Sequence, residues 1–225
     1  THKIRECILS QPFYGMVALP VLRMLRIKAV VIVHNLEYQR FRSLGKWWWP
    51  LAYGIEWLVY KSADGLLFVS KQDLEQASSC FGLPSPAGVF TPHGTELARP
   101  DCRQKKLDRN VLLERFQLAP DTRLYLIYGP LTYFPNREAL SIFIENINPH
   151  LISMSQTPYM VFVCGGGLNE IGERPAVGKV GNILCLGYVD EIETFVTGVD
   201  LVLNVSISGG GAKSKVIEAV AHGTS

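Results

Sequence analysis

The chain has 225 residues and a mass of 25.1 kDa, with 48% hydrophobic and 19% charged residues. It is too apolar for a disordered segment, and its most apolar stretch, residues 47–60, is interrupted by Pro50, Gly54 and Glu56 and is too short to span a bilayer. A formal net charge of +2 lies too near neutral to mark a nucleic-acid binder.

Short apolar runs then alternate with helical periodicity. Residues 6–10 read as a strand. Residues 14–26 read as a helix with a broad apolar face through Val17, Leu19, Val21, Leu22 and Leu25. Residues 28–33 (KAVVIV) form a buried strand rich in β-branched side chains. A helix over 48–62, a strand over 65–70, a short helix over 71–79 and a strand over 88–91 follow. Strands alternating with helices predict right-handed βαβ units on a parallel sheet. From residue 92 to 121 the pattern loosens around Pro100, Lys105, Lys106 and Pro120, with one short helix predicted near 111–116. A second series begins with a strand over 123–129, a helix over 136–151 and a strand over 159–164 ending in three glycines. It continues with a strand over 183–189, a short helix over 191–197 and a strand over 200–205. Gly209, Gly210 and Gly211 come next, and then a helix to about His222. The predicted class is α/β with two Rossmann-like domains: 1–98, a connection over 99–120, and 121–225.

Charge is unevenly spread. Residues 1–62 hold nine Lys/Arg and three Glu, a surplus of +6 that leaves −4 for the remainder. A basic first part suits an anionic partner such as a membrane surface. Arg40, Arg42 and Lys46 beside Trp47, Trp48 and Trp49 carry the interfacial combination of cations and indoles, and a helix packed on its own domain would use the same residues. Five cysteines, odd in number and without a C-x-x-C pair, speak against a disulfide framework or zinc site and fit a reducing compartment.

The strongest constellation is residues 206–223, SISGGGAKSKVIEAVAHG. A buried strand delivers glycines to a helix start, where backbone amides and the helix dipole favour an anion. Lys213 and Lys215 add point charges for phosphate, and Glu218 can accept hydrogen bonds from a sugar diol. The segment is not a P-loop, and Gly165-Gly166-Gly167 fails as a dinucleotide fingerprint because Glu170 takes the third glycine position. No D-x-D pair for a diphosphate-bound metal occurs.

These residues, in order, resemble the family 4 glycosyltransferases of GT-B fold. His34-Asn35-Leu36-Glu37 follows the KAVVIV strand as the family's His-Asn-x-Glu segment does. Ala63-Asp64-Gly65 with Val69-Ser70 and Pro92-His93-Gly94-Thr95-Glu96 follow in the first half. Tyr128-Gly129, Gly187-Tyr188-Val189-Asp190, Val199-Asp200 and Glu218-Ala219-Val220-Ala221-His222-Gly223 complete the series. Two departures stand out. Gly210 sits where many members carry the first of two Glu, and the 129–136 loop has no cation before Arg137, resembling a branch with a Pro135-Asn136 pair.

The resemblance implies transfer of a sugar from a nucleotide-diphosphate sugar to a glycan or lipid-linked acceptor, in glycan, polysaccharide or glycolipid synthesis. The transfer would retain anomeric configuration and need no metal or other cofactor. The second domain would bind the donor through Gly129, Asn136, Gly210, Gly211, Lys213, Lys215 and Glu218, the last holding the ribose. His34 would stand at the reacting centre, with Glu37 and Arg40 on the acceptor side. His93 is at most a minor contact, and His222 is accounted for by its helix end before Gly223. The expected setting is cytoplasmic, with peripheral contact at the inner face of a membrane. A non-catalytic nucleotide-sugar binding module, suggested by Gly210, and a GT-B nucleotide-sugar epimerase are the alternatives. The resemblance also implies a fragment: a strand-helix portion before Glu6 and more chain after Gly223, with both domains incomplete and the KAVVIV or DLVLNV strands exposed as edges.

Overall fold

Two parallel sheets grow from the two series of apolar runs. In this computed structural model residues 3–83, 88–94, 100–167, 178–208 and 213–225 are described. The chain divides into two units, residues 1–94 with 208–213, and residues 95–207 with 214–225.

The first unit has a four-stranded parallel sheet in the order β1 (Glu6–Leu9), β2 (Lys28–Val33), β3 (Gly65–Phe68) and β4 (Val89–Phe90). Helices α1 (Pro12–Met24), α3 (Trp49–Ser62) and α4 (Lys71–Phe81) cover one face. Ala29, Val31, Val33 and Phe68 point into that core and are almost wholly buried, whereas Val30 and Ile32 are half-buried and Ile8 is 63% exposed. KAVVIV therefore has a continuous apolar composition but an alternating burial. It lies between β1 and β3, so it is an inner strand and not an open edge. α1 starts at Pro12, whose fixed φ suits a first helical position, and α4 is capped by Ser70, whose Oγ accepts from Asp73 N at 3.2 Å. A further helix, α2 (Glu37–Ser43), was not predicted from the periodicity.

The second unit's sheet runs β7 (Gly178–Val180), β8 (Ile183–Gly187), β6 (Tyr159–Cys164), β5 (Arg123–Tyr128), β9 (Leu201–Val202), all parallel except β7. Both faces are covered. α5 (Cys102–Arg115), α8 (Ile192–Gly198) and α9 (Ser214–Ala221) lie over Leu124, Leu126 and Phe162. On the other side, α6 (Phe134–Ile142), a π-helical turn (Phe143–Ile147) and α7 (Asn148–Met154) lie over Ile127, Val161 and Val163.

Three elements differ from the sequence expectation. α5 runs fourteen residues instead of a short helix near 111–116. Asp101 caps it by accepting from Gln104 N at 2.6 Å, and Gln104 bonds Asp108 one turn on, so local polar chemistry builds a helix that apolar spacing hides. β9 is only two residues long against a predicted strand over 200–205; Asp200, just before it, accepts with its carboxylate from Leu124 N at 2.8 Å and from Arg109 Nη1 at 2.9 Å. β7 is a three-residue antiparallel edge that carries no periodicity of its own.

Candidate functional site

The chain runs outward from β5 through β6 to β8, then returns to place β9 on the opposite side of β5. The ends of β5 and β9 are thus a topological switch point, the place where open α/β sheets leave a crevice for ligands.

Backbone geometry draws the strand-end loops together there. Gly129 has φ +119, closed to most side chains, and its N–H donates to Cys164 O at 2.8 Å. A Cβ at Gly129 would stand 2.8 Å from Lys215 Cε and 2.9 Å from Asn136 Nδ2. A Cβ at Gly165 would stand 1.9 Å from the Gly129 carbonyl oxygen, so only glycine allows the β5 and β6 loops to touch.

Side chains converge on the same spot. Asn136 donates from Nδ2 to Pro130 O at 2.7 Å, which turns its Oδ1 to accept from Lys215 Nζ at 2.5 Å. Tyr128, the last residue of β5, donates its hydroxyl to Glu218 Oε2 at 2.8 Å and lies 3.3 Å from Lys215 O. Lys215 Nζ sits 5.4 Å from the centre of the Tyr128 ring. Lys215 and Glu218 share one face of α9 at i and i+3. The Tyr128 phenol is held far above its usual range, first by burial and then by the Glu218 carboxylate, so it stays a donor. The cluster offers an ammonium for anionic oxygens and an exposed carboxylate for hydroxyls.

Of the residues expected to bind a donor, Gly129, Asn136, Lys215 and Glu218 are therefore brought together. Lys213 belongs to the first unit, is exposed, and places Nζ 3.5 Å from Ser208 O. Gly210 and Gly211 lie outside the described residues. Tyr128 entered the sequence reading as a strand end and as part of the Tyr128-Gly129 match, with no role in the site. The available signal was a hydroxyl-bearing ring at the last position of an apolar strand, directly before a glycine.

In the first unit, His34 stands at the end of β2 with Nε2 3.2 Å from Ser10 Oγ and its ring 6.0 Å from that of His93, nearly parallel. Three loops thus meet at the carboxyl ends of β1, β2 and β4. Glu37 is buried. Its carboxylate pairs with Arg40, accepting from Nε at 2.8 Å, and its amide donates to Glu56 Oε1 at 2.7 Å. Tyr38 N and Tyr60 OH also donate to Glu56, each at 3.0 Å. Glu56 is fully buried, and burial pushes its carboxyl up to about 7. The Glu37 side chain is thus taken up by Arg40 of the same helix while its backbone amide ties α2 to Glu56, and Arg40 stays partly exposed.

The basic-aromatic stretch divides. Trp48 packs on Phe41 with centroids 4.1 Å apart, Trp49 lies against Tyr38 and under Arg42, and Trp47 is 89% exposed. His222 is buried against Thr197, Nδ1 to Oγ1 2.9 Å. Among the described residues no helix is long and apolar enough to cross a membrane, and no group of three His, Cys, Asp or Glu could hold a metal.

No protein-family model and no curated protein matches the chain. Solved structures do. Sucrose-phosphate synthase from Thermosynechococcus elongatus has a TM-score of 0.67 at 15% identity over 97% of this chain and 54% of that one. Anabaena HepE in complex with UDP has a TM-score of 0.73 at 14% identity over 98% of this chain and 58% of that one. WaaG, a glycosyltransferase involved in lipopolysaccharide biosynthesis, has a TM-score of 0.58 at 12% identity over 94% and 62%. The likeness is one of fold, the GT-B type, in agreement with the predicted α/β class of parallel-sheet units. The chain spans little more than half the length of the first two of these structures.

Proposed function

We propose that this chain carries the donor-binding part, and some of the acceptor side, of a family 4-like glycosyltransferase. It would move a sugar from a nucleotide-diphosphate sugar to a glycan or lipid-linked acceptor, with retention and without a metal. The observation that carries the reading is the junction of Gly129, Asn136, Lys215 and Glu218 at the β5/β9 switch point. The likeness in fold to HepE, solved with UDP and with UDP-glucose, supports a nucleotide-sugar ligand.

Each residue then has a task set by its chemistry. Lys215 neutralises the diphosphate, and its charge counts most when the leaving group gains charge in the transition state. Asn136 aims the ammonium through a neutral amide oxygen. Gly129 leaves room for Lys215 and Asn136 to meet beside the β5 backbone. Glu218 accepts the ribose hydroxyls. Gly210, Gly211 and Lys213 would add amides and a second cation. His34, tethered by Ser10, would stand by the reacting centre, and Arg40 with Glu37 on the acceptor side. Trp47 and the basic surplus of residues 1–62 favour peripheral contact with an anionic cytoplasmic membrane face.

The test is a charge deletion. In Lys213→Ala/Lys215→Ala, binding of UDP and GDP should weaken by about tenfold or more while the parent nucleosides are unaffected, as expected for lost charge-assisted bonds. Equal diphosphate binding by variant and parent would refute the assignment. A turnover screen of the full gene product over donors and acceptors separates transfer from its alternatives. Donor interconversion without acceptor marks an epimerase, and binding without any turnover marks a binding module.

A further inference from the structure

The roles above leave Tyr128 unused, although it touches both charged groups of the cluster. Its backbone is well fixed. It ends β5, pairs in register with Cys164 of β6, and is followed by the Gly129 N–H that donates to Cys164 O. β5 is an inner strand, paired with β6 on one side and β9 on the other. Glu218, by contrast, is an exposed side chain on α9, and a free glutamate there would spread over several rotamers. The 2.8 Å bond from the phenol to Oε2 removes that freedom and leaves Oε1 as the carboxylate oxygen not taken up by the phenol. The same ring lies beside the Lys215 ammonium, whose direction Asn136 fixes, so the phenol's distinct contribution is to the carboxylate.

We infer that Tyr128 is the positioning residue for Glu218, holding Oε2 so that Oε1 meets a ribose hydroxyl, and that it thereby sets a preference for ribonucleotides over 2′-deoxyribonucleotides. This rests on the reading of the second unit as a nucleotide-sugar site. The phenol remains protonated through the physiological range, because both its burial and the adjacent carboxylate oppose ionisation, so its direction of donation is constant.

The experiment is calorimetric titration of the protein, Tyr128→Phe and Glu218→Gln with UDP, 2′-deoxy-UDP, GDP and 2′-deoxy-GDP, with a thermal melt of each variant. The parent should bind the ribonucleotide of at least one pair about tenfold tighter than its deoxy partner, the scale of one hydrogen bond to a charged group. Tyr128→Phe should bring that ratio close to one while leaving deoxynucleotide affinity and melting temperature unchanged. If Tyr128→Phe melts early, the four titrations are run well below its transition, where the variant is folded. If Glu218→Gln loses the ratio but Tyr128→Phe keeps it, the positioning role is refuted and the nucleotide reading survives. If Tyr128→Phe weakens both members of a pair equally, Tyr128 holds the loop and not the carboxylate, which also refutes it. If the parent binds neither pair, or Glu218→Gln keeps the ratio, the nucleotide reading itself falls, and the inference with it.

Discussion

Glu56 is a carboxyl with no solvent around it, and its position accounts for a helix that periodicity did not reveal. Its two oxygens receive the first amides of α2 and the Tyr60 hydroxyl, so a side chain nineteen residues after Glu37 does the work of a local cap. A contact of that kind leaves no mark in the α2 sequence. The same burial sets a pH dependence. The carboxyl ionises near 4.5 when unfolded and near 7 when folded, so its stabilisation is complete below about pH 4.5 and is lost as pH rises to about 7. Asp73, raised to about 6 by burial, acts in the same direction. Stability of the protein relative to Glu56→Gln should therefore fall by about 3 kcal/mol between pH 4.5 and 7.5, measured by urea denaturation at each pH. A constant difference would show that the hydrogen bonds outweigh burial. At Gly129 the expectation is simpler. Alanine meets both a positive φ and the Lys215–Asn136 pair, so Gly129→Ala should lower stability by about 1–3 kcal/mol and reduce nucleotide binding, read by melting and titration. Lys215 and Glu218 were legible because a cation and a carboxylate follow a strand and three glycines at the start of a helical pattern, whereas Gly129 and Asn136 came only through the family resemblance. Tyr128 was not legible, since a tyrosine in a strand is usually packing.

Elements were most legible where apolar spacing decided them. β2, β5, β6, α3 and α9 fall within a residue or two of their predicted limits, because an apolar run marks each of them; β2 and α3 pack into the first unit's core, and β5 and β6 lie between the two clusters of the second. α5 escaped because most of its surface is polar and only Leu112 and Leu113 are buried. Its stability depends on the ends and on one close approach. Gly198 of α8 lies so near that a Cβ there would meet Asp108 C and Leu112 Cδ1 at 2.9 Å. Asp101→Ala should cost about 1 kcal/mol through loss of the cap, measured by chemical denaturation, and Asp101→Asn should restore most of it. No loss in the alanine variant would mean that packing of Leu112 and Leu113 alone determines α5. The π-helical turn at residues 143–147 was likewise hidden, since the apolar pattern from Leu140 to Leu151 reads as one continuous helix whichever ladder the backbone uses.

At the scale of the molecule, the charge asymmetry read from composition acquires a surface. In residues 1–62, Glu37 and Glu56 are buried, which leaves Glu6 as the only exposed acid against nine cations. The protein should sediment with phosphatidylcholine vesicles containing phosphatidylserine and be released by about 0.5 M salt, and Trp47→Ala should weaken the association without changing its salt dependence. Binding that ignores lipid charge would overturn the electrostatic account. Sequence made the two α/β series plain because β-branched runs recur with helical ones between them. It hid how differently the two sheets are covered, since Val30 and Ile32 of β2 are as apolar as Val161 and Val163 of β6. That difference has a kinetic corollary. An amide in β6, enclosed by clusters on both faces and by β5 and β8 at its sides, reaches solvent only when the second unit opens as a whole, whereas β1 lies at the edge of a sheet that, among the described residues, packs its helices on one face. Deuterium should therefore enter β1 first and β6 last, and the lag between them measures the cooperativity that a second helical layer confers.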